Sequence, residues 1–483
     1  ELQLEIDGAL EAARDAGREI PFDRMRRTLG LTRTEERALW VLIAVEVSSR
    51  LRQLMRYLVN EASRIHADVG LLELLVYSST QTRDLMINEL SPDGRLTRHR
   101  LIEPIGTRRQ QEDAPFLLRP LKANPRLIEL VHGVVRLDRE VADLAILVPM
   151  PPGHDRLVLP DELKAEVTEL LRNALAGAGV GVPAPAIVLS GAEGAGRKSL
   201  VYGAAAGLGC SVLHILCERL PSDAGELVRV SRALVREAIL FRAVPLLDNV
   251  DALAADGDIG RPERSGLVDR ALDGFVGPVA ATCARRDSRP IGMARGMVMV
   301  DVPVPGEAAR AELWRRALGA DGAQLDFDRA AGRYPVTGGL ILRASESALA
   351  RAHSRGEPVN DEDVHTGLRS TLDVKLSTLG VRVTWRQGWD DLVLPDDSLQ
   401  EIREFIARVR HRRRVYEEWG FARKMAKGLG LSALFAGPPG TGKTMVAGII
   451  ADELGLDLYQ IDLSRIVSKY VGETEKNLAQ VFD

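Results

Sequence analysis

A repeat on the scale of a whole domain constrains this sequence more than any other feature. Residues 157–161 and residues 392–396 both read Leu-Val-Leu-Pro-Asp. Behind each copy come an amphipathic helical pattern, an apolar stretch (186–190 and 432–436) and a glycine-rich loop. The same order of elements in both places indicates a duplication. The alternation of strand, loop and helix predicts α/β modules, each with a largely parallel sheet.

The repeat divides the chain into three parts. Residues 1–150 precede the first copy, and the proline-rich segment 149–153 is typical of a linker. The first module is predicted over residues 154–380, and the second begins at residue 385 and covers residues 385–483. Because the chain begins with glutamate instead of methionine and ends inside an apolar helical pattern, we expect it to be part of a longer polypeptide.

The composition excludes several classes of protein. Hydrophobic residues make up 45% and charged residues 27%, as in ordinary globular chains, and no apolar run is long enough to span a membrane. The net charge of −4 and the 4% of aromatic residues argue against a protein built for nucleic-acid binding. The three cysteines predict neither a disulfide framework nor a zinc site, so we expect a reducing, cytoplasmic setting.

The N-terminal region has a mainly helical pattern. Thr32 and Glu35 fit a capping box that begins a helix, and residues 93–102 predict a turn that leads into a short basic strand. Helices followed by a strand and a basic turn resemble a winged-helix module. A protein-docking domain and a DNA-binding domain both stay open as interpretations, and the lack of a strong basic helix face favours docking.

The second glycine-rich loop matches the phosphate-binding motif G-x-x-x-x-G-K-[ST] between a strand-like and a helical stretch. In such loops the glycines let backbone N–H groups surround phosphates, and the helix N-terminus adds a partial positive charge. Lys443 is predicted to reach the β- and γ-phosphates of ATP, and the Thr444 hydroxyl to bind Mg²⁺. The predicted ATP-binding residues are Gly437, Pro438, Pro439, Gly440, Thr441, Gly442, Lys443, Thr444 and Met445.

The first loop keeps its glycines but departs from the motif after them. Arg197 stands where the lysine belongs and Lys198 where the hydroxyl belongs, and a shifted register would bring Lys198 and Ser199 into use instead. Asp248 ends a strand that resembles a magnesium-binding one, yet Asn249 follows it where a glutamate would activate water, and an amide cannot act as that base. We therefore predict weak nucleotide binding or none, and no hydrolysis. The degenerate site comprises Gly191, Gly194, Gly196, Arg197, Lys198, Ser199 and Asp248.

The second loop and the segment Ser-Lys-Tyr-Val-Gly-Glu-Thr-Glu-Lys-Asn after it resemble the AAA+ ATPases, particularly their protein-remodelling branch. The likeness is specific over residues 430–483 and looser over residues 155–375. It implies ATP and Mg²⁺ as cofactors, a protein substrate, and a ring of identical subunits, most often a hexamer. It also implies that residues 305–378 form a helical lid.

The resemblance assigns roles to two further features. It places residues 469–472 in the pore loop that grips an extended polypeptide; these are Lys469, Tyr470, Val471 and Gly472. Arg295 lies near the position of the family's arginine finger, where a role toward a neighbouring subunit and an ordinary surface arginine both stay open. The offset from Gly191 to Asp248, applied to Gly437, falls beyond residue 483, so the catalytic residues of the second module are not identified.

The sequence thus predicts an ATP-hydrolysing protein in which the second module drives the remodelling or unfolding of a protein substrate. Two alternatives belong to other classes. One is a DNA-acting ATPase that uses the winged-helix-like region, with nucleic acid as a less favoured partner. The other is a scaffold that binds nucleotide without turnover.

Overall fold

The chain forms two compact units. In the computed structural model the first comprises Glu1–Ala192 and Gly196–Pro303, and the second Glu193–Ala195 and Val304–Asp483. Among the residues that the structure describes, no helix combines the length and the apolar character that a membrane crossing requires. The described residues are 8, 11–13, 15–16, 20–59, 65–106, 113–178, 183–253, 264–272, 275–284, 295–376, 380–383, 385–411, 415, 419 and 431–461.

The N-terminal region of the first unit packs helices around a small antiparallel sheet in which β3 lies between β1 and β2. The predicted capping box is confirmed, because the Glu35 N–H donates to the Thr32 hydroxyl and the Thr32 N–H donates to the Glu35 carboxylate. Leu39, Leu42 and Leu127 belong to the buried core of this region. Its elements are α1 (Pro21–Leu29), α2 (Arg33–Val47), α3 (Ser49–Leu58), β1 (Ala67–Asp68), α4 (Val69–Leu75), α5 (Thr80–Glu89), α6 (Arg95–Arg98), β2 (Ile102–Pro104), β3 (Pro120–Ala123) and α7 (Pro125–Val131).

The prediction of a basic strand within residues 93–102 was wrong. The chain forms the short helix α6 there, and the strand β2 begins only at Ile102. A tight turn at Gly94 causes the difference: a Cβ on that residue would lie 2.6 Å from the carbonyl oxygens of Asn88 and Glu89. Glycine therefore lets the backbone fold against the end of α5 and continue as a helical turn.

The rest of the first unit is a six-stranded sheet with the order β4-β6-β7-β8-β5-β9. Five of these strands run parallel, and β4 pairs antiparallel with β6 at the edge. This confirms the predicted α/β architecture and its largely parallel sheet. Val188, Leu213, Leu247 and Ala281, from four different strands, belong to one buried core. The elements are β4 (Ala145–Val148), α8 (Asp161–Ala178), β5 (Ala186–Ser190), α9 (Arg197–Gly207), β6 (Ser211–Leu216), α10 (Ala224–Leu240), β7 (Ala243–Asp248), α11 (Arg264–Leu272), β8 (Ala280–Cys283) and β9 (Met297–Asp301).

A cluster of buried charges joins the N-terminal region to helix α10. Arg126 on α7 and Glu237 on α10 have fully buried side chains, and two guanidinium N–H groups donate to the two carboxylate oxygens at 3.1 Å each. Arg236, also fully buried, donates to Glu237 and to Asp138. Burial raises the pKa of Glu237 despite the two arginines, because the charged form loses its water. The N-terminal region and the sheet are therefore parts of one packed body.

Four helices occupy the stretch of the second unit that was predicted to be a helical lid. Trp314 and Ile341 lie in their buried core. The close approach of two of them depends on Gly367, because a Cβ there would lie 2.4 Å from the carbonyl oxygen of Ala344. The helices are α12 (Glu307–Leu318), α13 (Phe327–Arg333), α14 (Gly338–Arg355) and α15 (Asp361–Leu376).

The beginning of the second module contains two helices and a two-stranded antiparallel sheet in which Val381 pairs with Gln460. The predicted strand over residues 432–436 was wrong: the segment is irregular, and the Leu434 side chain is 92% exposed. A parallel strand is held by hydrogen bonds from its neighbours, and within the described ranges no strand lies beside this segment. The elements are β10 (Gly380–Val383), α16 (Asp396–Arg410), α17 (Lys443–Leu454) and β11 (Leu458–Ile461).

Candidate nucleotide-binding sites

The second loop has the backbone of a phosphate-binding loop. Gly440 and Gly442 both take the left-handed conformation, with φ of 85°, and α17 begins immediately afterwards at Lys443. A Cβ on Gly440 would meet no atom within 4 Å, so this position needs glycine for its backbone conformation and not for space. The conformation turns the chain sharply into the first turn of the helix.

The Lys443 ammonium lies over this loop. It donates to the carbonyl oxygens of Gly437 at 2.9 Å and of Pro438 at 2.7 Å. The Thr441 hydroxyl also donates to the Pro438 carbonyl, at 3.0 Å, and closes the loop from the other side. The arrangement places a positive charge beside the segment that the motif assigns to the phosphates.

The residues present fit ATP and Mg²⁺. The first intrahelical hydrogen bond recorded in α17 runs from the Val446 N–H to the Gly442 carbonyl, so the N–H groups of residues 443–445 precede the regular pattern. These donors, the positive end of the helix and the ammonium suit the oxygens of a triphosphate. Thr444 is exposed on the first turn, where its hydroxyl would hold the metal. The structure thus brings the predicted residues together on one loop and one helical turn.

The first loop keeps the same backbone. Gly194 and Gly196 are left-handed, with φ of 80° and 103°, and α9 begins at Arg197. A Cβ on Gly191 would lie 2.4 Å from the Val302 carbonyl oxygen, so the loop passes close to the chain that leaves β9. The first loop therefore has the same glycine turn and the same helix start as the second.

Arg197 does not take the place of the missing lysine. Its guanidinium donates to the carbonyl oxygen of Cys283 at the end of β8, whereas Lys443 covers its own loop. Lys198 is turned toward Asp248, and Ser199 is exposed on α9. The shifted register, in which Lys198 and Ser199 would act as the lysine and the hydroxyl of the motif, is not adopted.

Protein donors surround the carboxylate of Asp248. The Lys198 ammonium and the His214 Nε2 each lie 3.0 Å from Oδ2, and the Thr282 hydroxyl donates to Oδ1 at 2.7 Å. Burial favours the protonated acid, but the hydrogen bonds from His214, Thr282 and Lys198 outweigh it and hold the pKa of Asp248 well below its usual range. The aspartate predicted as a magnesium ligand is thus already engaged by the protein.

Asn249, which replaces the catalytic glutamate, has a structural role. Its backbone is left-handed, with φ of 56°, a conformation that asparagine tolerates better than most residues. Its N–H donates to the Thr282 hydroxyl at 2.9 Å, and its side-chain amide donates to Glu218 at 2.5 Å. The amide holds neighbouring loops together at the end of β7 and offers no base for water.

Two residues of this constellation were missed in the sequence. His214 Nε2 contacts Asp248, and the Tyr202 hydroxyl lies 2.9 Å from His214 Nδ1 and orients the ring. His214 is carried on β6, which pairs with β7, so the parallel sheet itself brings the histidine to the aspartate. The one available signal was a polar residue inside the apolar strand Ser-Val-Leu-His-Ile-Leu.

The other sequence-predicted residues have different outcomes. The pore-loop residues 469–472 lie outside the part of the chain that the structure describes. The Arg295 guanidinium donates to the carbonyl oxygens of Leu272 and Phe275 at 2.9 and 2.8 Å, so it closes the end of α11 within its own subunit. This internal contact favours neither of the two roles that the sequence left open.

Two arginines of the segment that was predicted to be a basic turn and strand make contacts within the N-terminal region. Arg100 pairs with Glu103 at 2.6 Å and with Glu140, and its side chain is only 14% exposed. Arg95 contacts Glu35 at 3.2 Å and the backbone carbonyl of Gly30. Acidic partners thus neutralise Arg95 and Arg100, so these two residues give no support to a surface for nucleic-acid phosphates.

Two family models match the chain. One, described as "Winged helix domain, variant", matches residues 1–145, and the other, "ATPase family associated with various cellular activities (AAA)", matches residues 433–483. The phosphate-binding loop and the residues that follow it thus match the AAA ATPase family. In the chain, the winged-helix region precedes a degenerate α/β module and the phosphate-binding loop of a second one.

Several curated proteins are similar to this chain. The Peroxisomal ATPase PEX6 of Homo sapiens is 26% identical over 371 residues, which cover 69% of this chain and 36% of that protein. The protein of the same name from Arthrobotrys oligospora is 24% identical over 368 residues, or 69% and 30% of the two chains. The Uncharacterized AAA family ATPase y4kL of Sinorhizobium fredii is 38% identical over 102 residues, or 21% and 29%. The chain spans about a third of the length of these relatives.

Proposed function

We propose that the second loop binds ATP with Mg²⁺ and that the protein uses hydrolysis there to remodel or unfold a protein substrate. The observation that carries the proposal is the loop itself, with left-handed Gly440 and Gly442 and with the Lys443 ammonium 2.7 Å from the Pro438 carbonyl oxygen. When bound, the metal neutralises charge on the phosphates, and the ammonium and the helix N-terminus position them.

The first module has a supporting role in this proposal. The Arg197 guanidinium donates to the backbone carbonyl of Cys283, and the Asp248 carboxylate accepts hydrogen bonds from protein donors. The amide of Asn249 cannot act as a base. The module's helix α10 shares a buried charge cluster with the winged-helix region. The module thus connects that region to the second module along the chain without turning over nucleotide itself.

We further infer that the active form is a ring of identical subunits, most often six, with a protein substrate in its channel. The match of residues 433–483 to the AAA family model supports this inference, and the resemblance assigns the grip on the substrate to Tyr470. The winged-helix region would dock a protein partner, because its Arg95 and Arg100 are engaged internally.

Steady-state ATP hydrolysis by the full-length gene product tests the proposal. We expect clear turnover, and its loss in Lys443→Ala, because the substitution removes the charge over the loop. Lys164→Ala on α8, a lysine that pairs with the exposed Asp161, is the control and should retain the wild-type rate. An unchanged rate in Lys443→Ala would move the activity to another site. Binding without turnover in the wild type would replace the motor with a scaffold.

A further inference from the structure

In the first module a lysine ammonium lies where a magnesium ion would be expected. In phosphate-binding loops the hydroxyl that follows the lysine and a carboxylate from a neighbouring strand hold the ion. Lys198 stands at the hydroxyl position and Asp248 at the carboxylate position, and the ammonium is 3.0 Å from the Asp248 Oδ2. The ammonium, a single positive charge fixed to the chain, therefore stands in the place of a divalent ion that could dissociate.

The residues present do not fit Mg²⁺. Both oxygens of Asp248 are engaged, Oδ2 by Lys198 and His214 and Oδ1 by Thr282. His214 is itself held by the hydroxyl of Tyr202 and has little freedom to move away. A magnesium ion requires near-ideal octahedral oxygen ligation, so it would have to displace the ammonium and break these hydrogen bonds.

The surroundings nevertheless remain suited to phosphates. The left-handed Gly194 and Gly196 and the eleven-residue helix α9 are kept, and the Lys198 side chain is 50% exposed, so its other N–H groups face solvent. A left-handed glycine turn, a helix N-terminus and an exposed ammonium are the features that hold phosphates in such loops.

We propose that the first module binds the triphosphate of a nucleoside triphosphate without a divalent cation, with the Lys198 ammonium in the place of the metal. The ammonium donates to Asp248 and keeps further donors for phosphate oxygens. This binding is independent of hydrolysis at the second loop, and the nucleotide would stay intact because Asn249 supplies no base.

Fluorescence titration of the chain with mant-ATP tests the proposal in the Lys443→Ala background, which disables the second loop. We expect saturable binding in EDTA, with an affinity that changes less than about twofold when excess Mg²⁺ replaces the chelator. Binding that requires Mg²⁺, or the absence of saturable binding in both buffers, would overturn the proposal.

Two substitutions in the same background test the role of the ammonium. Lys198→Thr restores the hydroxyl of the motif, and its affinity in EDTA should fall about tenfold because one charge-assisted contact is lost. Lys164→Thr, which removes a surface lysine that also pairs with an aspartate, should leave the affinity unchanged. An unchanged affinity in Lys198→Thr would overturn the assignment.

Asp248→Asn provides an independent test if the lysine variant does not fold. A site that depends on the ammonium should keep or gain affinity in EDTA, since the competing carboxylate charge is removed. A site that depends on a metal should instead lose affinity in excess Mg²⁺, because the same substitution removes the metal's ligand. Loss of affinity in correctly folded Asp248→Asn, judged by its circular dichroism, would contradict the proposal.

Discussion

Arg126 and Glu237, which lie far apart in the sequence, form a fully buried ion pair with two hydrogen bonds of 3.1 Å. In the protein interior each charge is tolerated because the other compensates for its lost hydration. Arg236 and Asp138 extend the cluster through the contacts of Arg236 with Glu237 and with Asp138. The winged-helix region can therefore not leave the first module without exposing or unpairing these groups.

Removing one charge of this cluster should destabilise the first unit strongly. In Glu237→Gln the buried Arg126 and Arg236 lose their shared counter-charge, and we expect the free energy of unfolding to fall by about 3–5 kcal/mol. Urea unfolding followed by circular dichroism measures the loss. Glu169→Gln, from an exposed pair with Arg172 on α8, is the matched control and should cost at most about 1 kcal/mol. Equal losses in the two variants would refute the importance of burial.

Substitution of a loop glycine should weaken ATP use, although the protein still folds. In Gly440→Ala the left-handed backbone costs about 1–2 kcal/mol, although the new methyl group has free space. We expect the KM for ATP hydrolysis by the full-length gene product to rise about tenfold. Gly388→Ala, at a position with φ of −108° and equal space, should leave the KM unchanged. A normal KM in Gly440→Ala would mean that the loop rearranges on binding.

The buried His99 should make stability depend on pH. Burial lowers its pKa to about 4, and the positive charges of Arg98, Arg95, Arg236 and Arg232 act in the same direction. Between pH 4 and 6.5 the unfolded chain binds a proton at this histidine and the folded chain does not. Stability is therefore complete above about pH 6.5 and falls by about 3 kcal/mol as the pH decreases to about 4.

Unfolding measurements across this pH range check the contribution of His99. His99→Gln removes the titrating group, so the variant should lose less stability than the wild type between pH 6.5 and pH 4. His353→Gln, which alters an exposed histidine on α14, should follow the wild-type curve. If the His99 variant has the same pH dependence as the wild type, another group causes the acid instability.

Arg100 should matter for folding and not for DNA binding. Arg100→Gln breaks half-buried pairs with Glu103 and Glu140, and we expect a loss of about 1–3 kcal/mol in the free energy of unfolding. Duplex DNA should neither bind the wild type tightly in gel-shift assays nor stimulate hydrolysis by the full-length gene product. Tight binding that Arg100→Gln abolishes at unchanged stability would revive the DNA-acting alternative.

Features encoded in a short stretch of chain were predictable from the sequence. The turn into α17 is local, because Gly440 and Gly442 are glycines that readily adopt a left-handed backbone. The contact of Lys443 is local as well, because the Gly437 carbonyl that it reaches lies only a few residues earlier in the chain. The hydrogen bonds of Thr32 and Glu35 are equally local. The departures at Arg197, Lys198 and Asn249 were visible at once, because each residue lacks the group that the motif requires.

The partners of these residues were decided by the tertiary structure. Lys198 reaches Asp248, and His214 joins them, because β6 lies beside β7 in the sheet. In the same way the segment 432–436 has the composition of a strand but no neighbouring strand among the described residues. Composition and motif determine which groups a residue or segment can bind. Hydrogen bonds and ion pairs between distant segments form only where the packing of strands and helices brings those groups within about 3 Å of each other.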